Sequence, residues 1–103
     1  MGRAQRPRPA RLAVKLLQIR HGLCLSQRQM LLRLDYERSK LTVGHISDFE
    51  RDKREPPLQT LLRYAEAAGI PLELIIDDRQ HLPQRLPSDF RQLLDKITKG
   101  ISD

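Results

Sequence analysis

The chain has 103 residues, a formal net charge of +6 and an apolar fraction of 39%, with aromatic residues contributing only 4%. These values suit one small domain with a largely aliphatic core, and a second domain is not expected. Cys24 is the single cysteine, which excludes an internal disulfide and favours a reducing, cytoplasmic setting. Neither export nor membrane insertion is expected, because no apolar run approaches the roughly 18 to 20 residues of a membrane span.

The first ten residues have an arginine- and proline-rich composition without apolar periodicity. This composition predicts a disordered basic arm over residues 1–10 that stays outside the core. The overall basic charge suits a polyanionic partner, although a charged surface can also serve solubility alone.

Helical periodicity begins at Arg11 and predicts two helices in the first third of the chain. The inner face of the first has Leu12, Leu16, Ile19 and Leu23. Gly22 marks its expected end. Ser26 is the expected N-cap of the second, whose inward stripe is Met30, Leu31 and Leu34. The polar run Asp35–Lys40 is expected to be the frayed end of this helix or a loop.

Thr42 is the expected N-cap of a short third helix with a narrow apolar stripe at Val43, Ile46 and Phe49. Its other residues should face outward. Pro57 suits the first turn of a fourth helix, and Gly69 is its expected C-terminal stop. The predicted inner face of the fourth helix is Leu58, Leu61, Leu62, Ala65 and Ala68.

Pro71 opens a fifth short helix through Leu72, Leu74 and Ile75. The prolines that follow predict an extended, exposed linker over residues 78–87. Ser88 then caps a C-terminal helix within residues 88–103, whose apolar stripe is Phe90, Leu93, Leu94 and Ile97. This stripe must be buried, either against the same domain or in a dimer. Since no strand pattern competes, the sequence predicts an all-α fold.

The run ISDFERDKREP, followed by LQTLLRYAEAAGIPLELI and preceded by LLQIR, LSQ and ML, resembles the phage-repressor-like, xenobiotic-response-element type of helix-turn-helix family. The resemblance covers roughly Leu12 to Asp77. It implies a compact, lambda-repressor-like bundle of five helices over residues 11–77, with the C-terminal helix as an extension. It further implies sequence-specific binding to duplex DNA, usually as a homodimer that regulates transcription.

By this resemblance, Thr42 to Phe49 is the recognition helix, which lies in the major groove and needs only a thin apolar stripe for the core. Gly44 would permit close backbone approach, and Asp48 would accept a hydrogen bond from a cytosine amino group. Val43 can either contact a thymine methyl or pack in the core. The expected base contacts are Thr42, Val43, Gly44, His45, Ser47 and Asp48.

The resemblance also implies two groups of phosphate contacts, one at the start of the second helix and one in the basic turn after the third. These residues are Ser26, Gln27 and Arg28, with Arg51, Lys53 and Arg54. Arg20 and Glu50 occupy positions that pair in the family and would tie the first helix to the end of the third. The segment between the SQ and IS pairs is longer than the family pattern, which affects how the third helix enters the groove.

Several features have more than one interpretation. The arginine arm is either a solvated tail or an element that enters an adjacent minor groove. The dimer interface is either the C-terminal helix or the segment Leu72–Pro87. The chain either acts alone as a dimeric repressor, or it is an antitoxin-like regulator or DNA-binding subunit with a protein partner. A third alternative is a protein-interaction adaptor on the same fold.

An enzyme is not expected. His21, His45 and His81 show no metal-ligand spacing with one another or with Cys24. The neighbouring Asp77 and Asp78 lack a companion histidine and are best interpreted as a solvated turn. No metal site and no cofactor are therefore predicted.

Overall fold

The structure, a computed structural model, describes residues 8–34 and 40–87. Within these residues five helices and no strand are present: α1 (Leu12–Gly22), α2 (Gln27–Leu34), α3 (Val43–Glu50), α4 (Leu58–Ala68) and α5 (Glu73–Ile76). The predicted all-α class and five-helix bundle are confirmed. The predicted C-terminal helix from Ser88 to Asp103, the arm up to residue 7 and most of Asp35–Lys40 lie outside the described residues.

One apolar core joins the helices. α1 contacts α3, α4 and α5, while α2 contacts α3 and α4. Phe49 and Tyr64 are the largest fully buried side chains, and the rest of the core is mainly aliphatic. The largest fully buried aliphatic side chains are Leu12, Leu16, Ile19, Met30, Leu34, Ile46 and Ile75. Helix α1 therefore packs against three of the other four helices.

Helices α1 and α4 end in the same hydrogen-bonding motif, in which a left-handed residue follows the last turn. In α4 that residue is Gly69, as predicted, with φ 76°, and the N–H of Ile70 donates to the Ala65 carbonyl at 3.0 Å. In α1 it is Cys24, with φ 60°. Gly22 is the last residue of α1 but is not left-handed. Its missing Cβ instead accommodates Leu86, whose Cδ1 would lie 3.0 Å from a Cβ placed there.

The buried face of α4 differs from the predicted one. Leu58 and Leu62, expected inside, are 69% and 40% exposed, whereas Thr60 and Tyr64 are fully buried. The face that packs on the core is centred on Leu61, Tyr64 and Ala68, and at 100° per residue Leu62 lies well off that centre. Among the described residues the Tyr64 hydroxyl has no hydrogen-bond partner. Burial and the nearby Glu50 carboxylate raise the pKa of Tyr64.

The segment after α5 was expected to be exposed, and this does not hold at Leu86, which is only 5% exposed. Asp78 lies in a turn, as expected, but its side chain is engaged. Its carboxylate accepts hydrogen bonds from the backbone N–H groups of Ala10, at 2.8 Å, and Arg11, at 3.0 Å. Asp78 therefore holds the two residues that precede α1 and places a negative charge near the N-terminus of that helix, where the helix dipole favours it.

Lys15 is buried in α1 although it is charged, with a relative exposure of 2%. Its Nζ donates to the carbonyls of Leu74 and Asp77 at 2.7 and 2.8 Å. These bonds satisfy backbone oxygens at α5, and burial lowers the pKa of Lys15. Lys15, α5 and Asp78 together fasten residues 74–78 to the first half of α1.

Candidate nucleic-acid interface

Helix α3 begins with a reciprocal pair of hydrogen bonds between Thr42 and His45. The Thr42 Oγ1 accepts from the His45 N–H at 3.2 Å, and the Thr42 N–H donates to His45 Nδ1 at 3.1 Å. Thr42 is therefore the N-cap, as predicted, with histidine in the place where glutamate or glutamine usually completes this capping box. Because Nδ1 accepts a hydrogen bond, the ring hydrogen of a neutral His45 is on Nε2.

The two sides of α3 have opposite environments. Ile46 and Phe49 are buried, at 0% and 1% exposure, as the stripe required. Val43, the third residue of that stripe, is 36% exposed. The sequence left open whether Val43 faces outward or packs in the core, and in the structure it faces outward. The N-terminal turn therefore projects from the core, with Thr42, Val43 and Gly44 exposed and His45, Ser47 and Asp48 half-buried.

Gly44 leaves open space on this face. A Cβ at this position would meet a single neighbouring atom within 4 Å, the Thr42 Oγ1 at 3.5 Å. The packing of the domain therefore does not require a glycine here. Because Gly44 has no side chain, another molecule can approach the backbone closely at this point of the surface.

Asp48 faces the basic turn that follows α3. Its Oδ1 lies 3.3 Å from Arg51 Nη2, and its Oδ2 lies 3.9 Å from Arg54 Nε. Both arginine side chains are more than half exposed, so these ion pairs contribute little to stability. The ion pairs instead affect the expected phosphate contacts. The Asp48 carboxylate repels phosphate, and it lies beside two arginines that are expected to bind phosphate.

The start of α2 is also capped. Ser26 Oγ accepts from the Gln29 N–H at 3.1 Å, and the Ser26 N–H donates to Gln29 Oε1 at 2.8 Å. The N-cap predicted at Ser26 is confirmed. Arg28 is exposed beside it, whereas Gln27 is half-buried and donates from Nε2 to Glu50 Oε1 at 3.0 Å.

The Glu50 carboxylate connects three helices. Arg20 of α1 donates from Nε to Glu50 Oε2 at 2.6 Å and from Nη2 to Oε1 at 3.0 Å. Its Nη1 donates to the Leu25 carbonyl before α2. The two side chains are only 13% and 4% exposed, and the hydrogen-bonded carboxylate raises the pKa of Arg20. These hydrogen bonds hold together the C-terminal part of α1, the start of α2 and the end of α3.

Arg8, in the segment predicted as a free arm, contacts the basic turn. Its Nη1 donates to the Asp52 carbonyl at 2.9 Å and to Asp52 Oδ1 at 2.8 Å. Together with the bond from Ala10 to Asp78, this shows that residues 8–10 are held against the domain. Sequence periodicity contains no sign of this contact, since the two residues are 44 positions apart.

Two grooves of about 370 and 430 Å³ lie between α1 and residues 81–86, and neither is lined by a predicted DNA-contact residue. No cluster of three or more histidine, cysteine, aspartate or glutamate residues suited to a metal occurs in residues 8–34 and 40–87. Within the same residues no helix is both long and apolar enough to cross a bilayer.

A family model described as helix-turn-helix matches residues 36–75. These residues include α3, α4 and most of α5, while α1 and α2 precede the matched range. No curated protein and no solved structure matches the chain.

Proposed function

We propose that the chain is a sequence-specific transcriptional repressor of the helix-turn-helix family that binds duplex DNA as a homodimer. A helix-turn-helix family model, a model of DNA-binding regulators, matches residues 36–75. The main support is α3. This helix uses Ile46 and Phe49 to join the core and leaves its first turn exposed, which is what a recognition helix in a major groove requires.

The proposed base contacts follow from the chemistry of the exposed turn. Val43 presents methyl groups that suit a thymine methyl, and Gly44 allows the backbone close to the base edges. The Nε2–H of His45 is a donor that suits the O6 or N7 of guanine. Thr42 and Ser47 add hydroxyl groups, and Asp48 accepts from the amino group of cytosine when its arginine partners move to phosphates.

Phosphate contacts are proposed on both sides of this turn. Ser26, Gln27 and Arg28 lie at the start of α2, and Arg51, Lys53 and Arg54 lie after α3. Gln27 keeps one amide hydrogen for a phosphate, because its contact with Glu50 uses only one of two. Such contacts release counterions, so the affinity should fall steeply with salt concentration.

A dimer would place two recognition helices about 34 Å apart, one turn of DNA, and would require a near-palindromic site. The interface is proposed in the C-terminal residues 88–103, with Leu72–Pro87 as the alternative. Repression would follow from occupation of a promoter, and the protein would act in the cytoplasm.

The experiment that tests this function is selection of bound duplexes from a random library at about 150 mM salt, where specific recognition survives while bulk phosphate attraction is weakened. An enriched palindrome is expected, and its half-site spacing would give the separation of the two α3 helices. A folded protein that enriches no sequence would contradict the proposal.

A protein partner is the second candidate, as in an antitoxin-like regulator or a DNA-binding subunit. It is favoured by Leu58 and Leu62, which are exposed one turn apart on α4, and by Leu32 of α2, which is 69% exposed. Co-purification of a stoichiometric second protein, together with library enrichment that appears only in its presence, would support this candidate over the homodimer.

A further inference from the structure

Asp48 places a negative charge on the outer side of α3, beside the basic turn. We infer that Asp48 makes the phosphate contacts of Arg51 and Arg54 conditional on a cytosine in the DNA, and so lowers the affinity for other sequences. The inference rests on the proposed function, because it needs a protein that binds duplex DNA through α3. The contacts to bases and the contacts to phosphates then depend on each other.

The helical repeat explains the position of Asp48. Successive residues of a helix are about 100° apart, so Asp48 lies about 40° from Gly44, one turn further along α3. Both residues lie on the side of α3 opposite the buried Ile46 and Phe49. Because Gly44 has no side chain, the carboxylate of Asp48 is the charged group that α3 presents on this side.

In the free protein, two arginines of the following turn pair with this carboxylate. Asp48 Oδ1 lies 3.3 Å from Arg51 Nη2, and Asp48 Oδ2 lies 3.9 Å from Arg54 Nε. The arginine side chains are 58% and 56% exposed, so these ion pairs are weak and both guanidinium groups can move to another anion. A phosphate of the DNA therefore competes with Asp48 for the same two guanidinium groups.

The result of this competition depends on the base that Asp48 meets. When both arginines move to phosphates, the carboxylate needs a hydrogen-bond donor in the major groove. Cytosine offers its amino group there, whereas guanine and thymine offer acceptors that repel a carboxylate. Adenine places its N7 acceptor beside its amino group, so it suits a carboxylate less well than cytosine. At any base other than cytosine, either the arginines stay with Asp48 or the carboxylate loses its partners, and both reduce the affinity.

The test compares the parent with Asp48→Asn, which keeps the size of the side chain and removes its charge. Affinities for the selected site and for a random duplex of the same length are measured over a range of salt concentrations. Asp48→Asn should bind the random duplex at least about fivefold more tightly at about 150 mM salt. Its slope of log K against log salt on that duplex should steepen by about 0.9 to 1.8, the value for one or two phosphates. Repeated library selection should show that the preference for cytosine is lost at one position of each half-site.

The matched control is Asp52→Asn, which removes the same charge from the turn after α3. The Asp52 carboxylate accepts a hydrogen bond from Arg8 at 2.8 Å, so it holds neither of the two arginines that pair with Asp48. Asparagine also tolerates the left-handed backbone at this position, where φ is 60°. Asp52→Asn should tighten binding to the random duplex less than Asp48→Asn does, and it should keep the cytosine preference. Equal gains in the two variants would reduce the effect to net charge and would overturn the inference.

A second comparison tests the link to the two arginines. In a protein that already contains Arg51→Gln and Arg54→Gln, adding Asp48→Asn should tighten binding to the random duplex no more than adding Asp52→Asn. A larger gain would overturn the inference, as would a cytosine preference that survives Asp48→Asn. Either result leaves the proposed function intact. A parent protein that enriches no sequence would overturn the proposed function, and this inference with it.

Discussion

At the scale of single residues, Cys24 and Gly69 occupy the same left-handed position after a helix. A residue with a Cβ pays about 1–2 kcal/mol in this region, whereas glycine does not. Cys24 is exposed, and its side chain is absent from the hydrophobic core. The chain therefore retains strain at the end of α1 that is absent at the end of α4.

We expect Cys24→Gly to raise the free energy of unfolding by about 0.5–1 kcal/mol, because relief of strain outweighs the extra flexibility of the unfolded glycine. Gly69→Ala should lower it by about 1 kcal/mol. Urea denaturation measures both. Cys24→Ala is the control, since it removes the thiol and keeps the strain, and a Cys24→Gly variant no more stable than this control would contradict the explanation.

His45 and Lys53 should differ in how they affect binding. His45→Ala should change the preference at particular base pairs, because it removes a donor on the exposed turn of α3. Lys53→Ala should weaken binding to all sequences alike and reduce the salt slope by about 0.9. Repeating the library selection with each variant separates the two effects.

His45→Gln is the control for this comparison, because glutamine can keep the capping box with Thr42. If His45→Gln is about as stable as the parent, any change in its base preference does not come from fraying of α3. Uniform weakening by both His45→Ala and Lys53→Ala would contradict the proposed division between base and phosphate contacts.

At the scale of helices, the Arg20 and Glu50 pair holds α1, α2 and α3 together from a nearly buried position. The positions themselves could be identified from the sequence by resemblance. The participation of Gln27 and of the Leu25 carbonyl could not, because it depends on how α2 approaches the end of α3.

Glu50→Gln should lower the free energy of unfolding by about 3 kcal/mol, since it leaves the Arg20 guanidinium without its charged partner in a nearly dry site. Replacing both residues, as in Arg20→Met, Glu50→Leu, should cost clearly less than Glu50→Gln alone. Denaturation of Arg20→Met alone, Glu50→Leu alone and the double variant gives the coupling energy. A double variant as unstable as the sum of its parts would show that the pair is not coupled.

The face of α4 illustrates a second limit of sequence patterns. Periodicity located the helix and its end at Gly69, but it selected Leu58 and Leu62 as inner residues and passed over Tyr64. Counting aliphatic residues cannot predict whether one large aromatic ring or two leucines at the edge of the face will be buried. Which side chains are buried depends on the shape of the space that α1 and α2 leave.

At the scale of the whole molecule, Asp78 connects the segment after α5 to the residues that precede α1. Hydrogen bonds from the backbone N–H groups of Arg11 and Ala10 lower the pKa of Asp78 in the folded protein. A lowered pKa adds stability above the carboxyl's unfolded pKa and loses it as the pH falls through the folded value.

Asp78→Asn should therefore destabilise the protein near neutral pH and flatten the loss of stability in the acidic range below about pH 4. Thermal unfolding followed from pH 7 to pH 2 measures this. Asp77 also has a lowered pKa, owing mainly to its bond with the Arg79 side chain, so Asp77→Asn should flatten the acidic loss as well. An Asp78→Asn variant that follows the stability of the parent from pH 7 to pH 2 would contradict the role given to Asp78.

The proposed interface predicts that the oligomeric state depends on the apolar stripe of the C-terminal sequence. Leu93→Glu should raise the dimer dissociation constant at least about tenfold, because burying an unpaired carboxylate in an interface is costly. Gln92→Glu adds the same charge off the stripe and should have little effect. Sedimentation at several protein concentrations measures both, and a parent that is monomeric at high concentration would contradict the dimer.

The sequence by itself determined the order and limits of the helices, because caps and periodic apolar positions act within a few residues. Ser26, Thr42 and Gly69 are examples, and the narrow stripe of α3 already pointed to a helix with a free face. Only the tertiary structure decided that Lys15 is buried against α5, that Asp78 binds the backbone just before α1 and that Arg8 binds Asp52. These contacts join residues 44 to 68 positions apart. No local pattern encodes them, because each depends on the packing of the complete bundle.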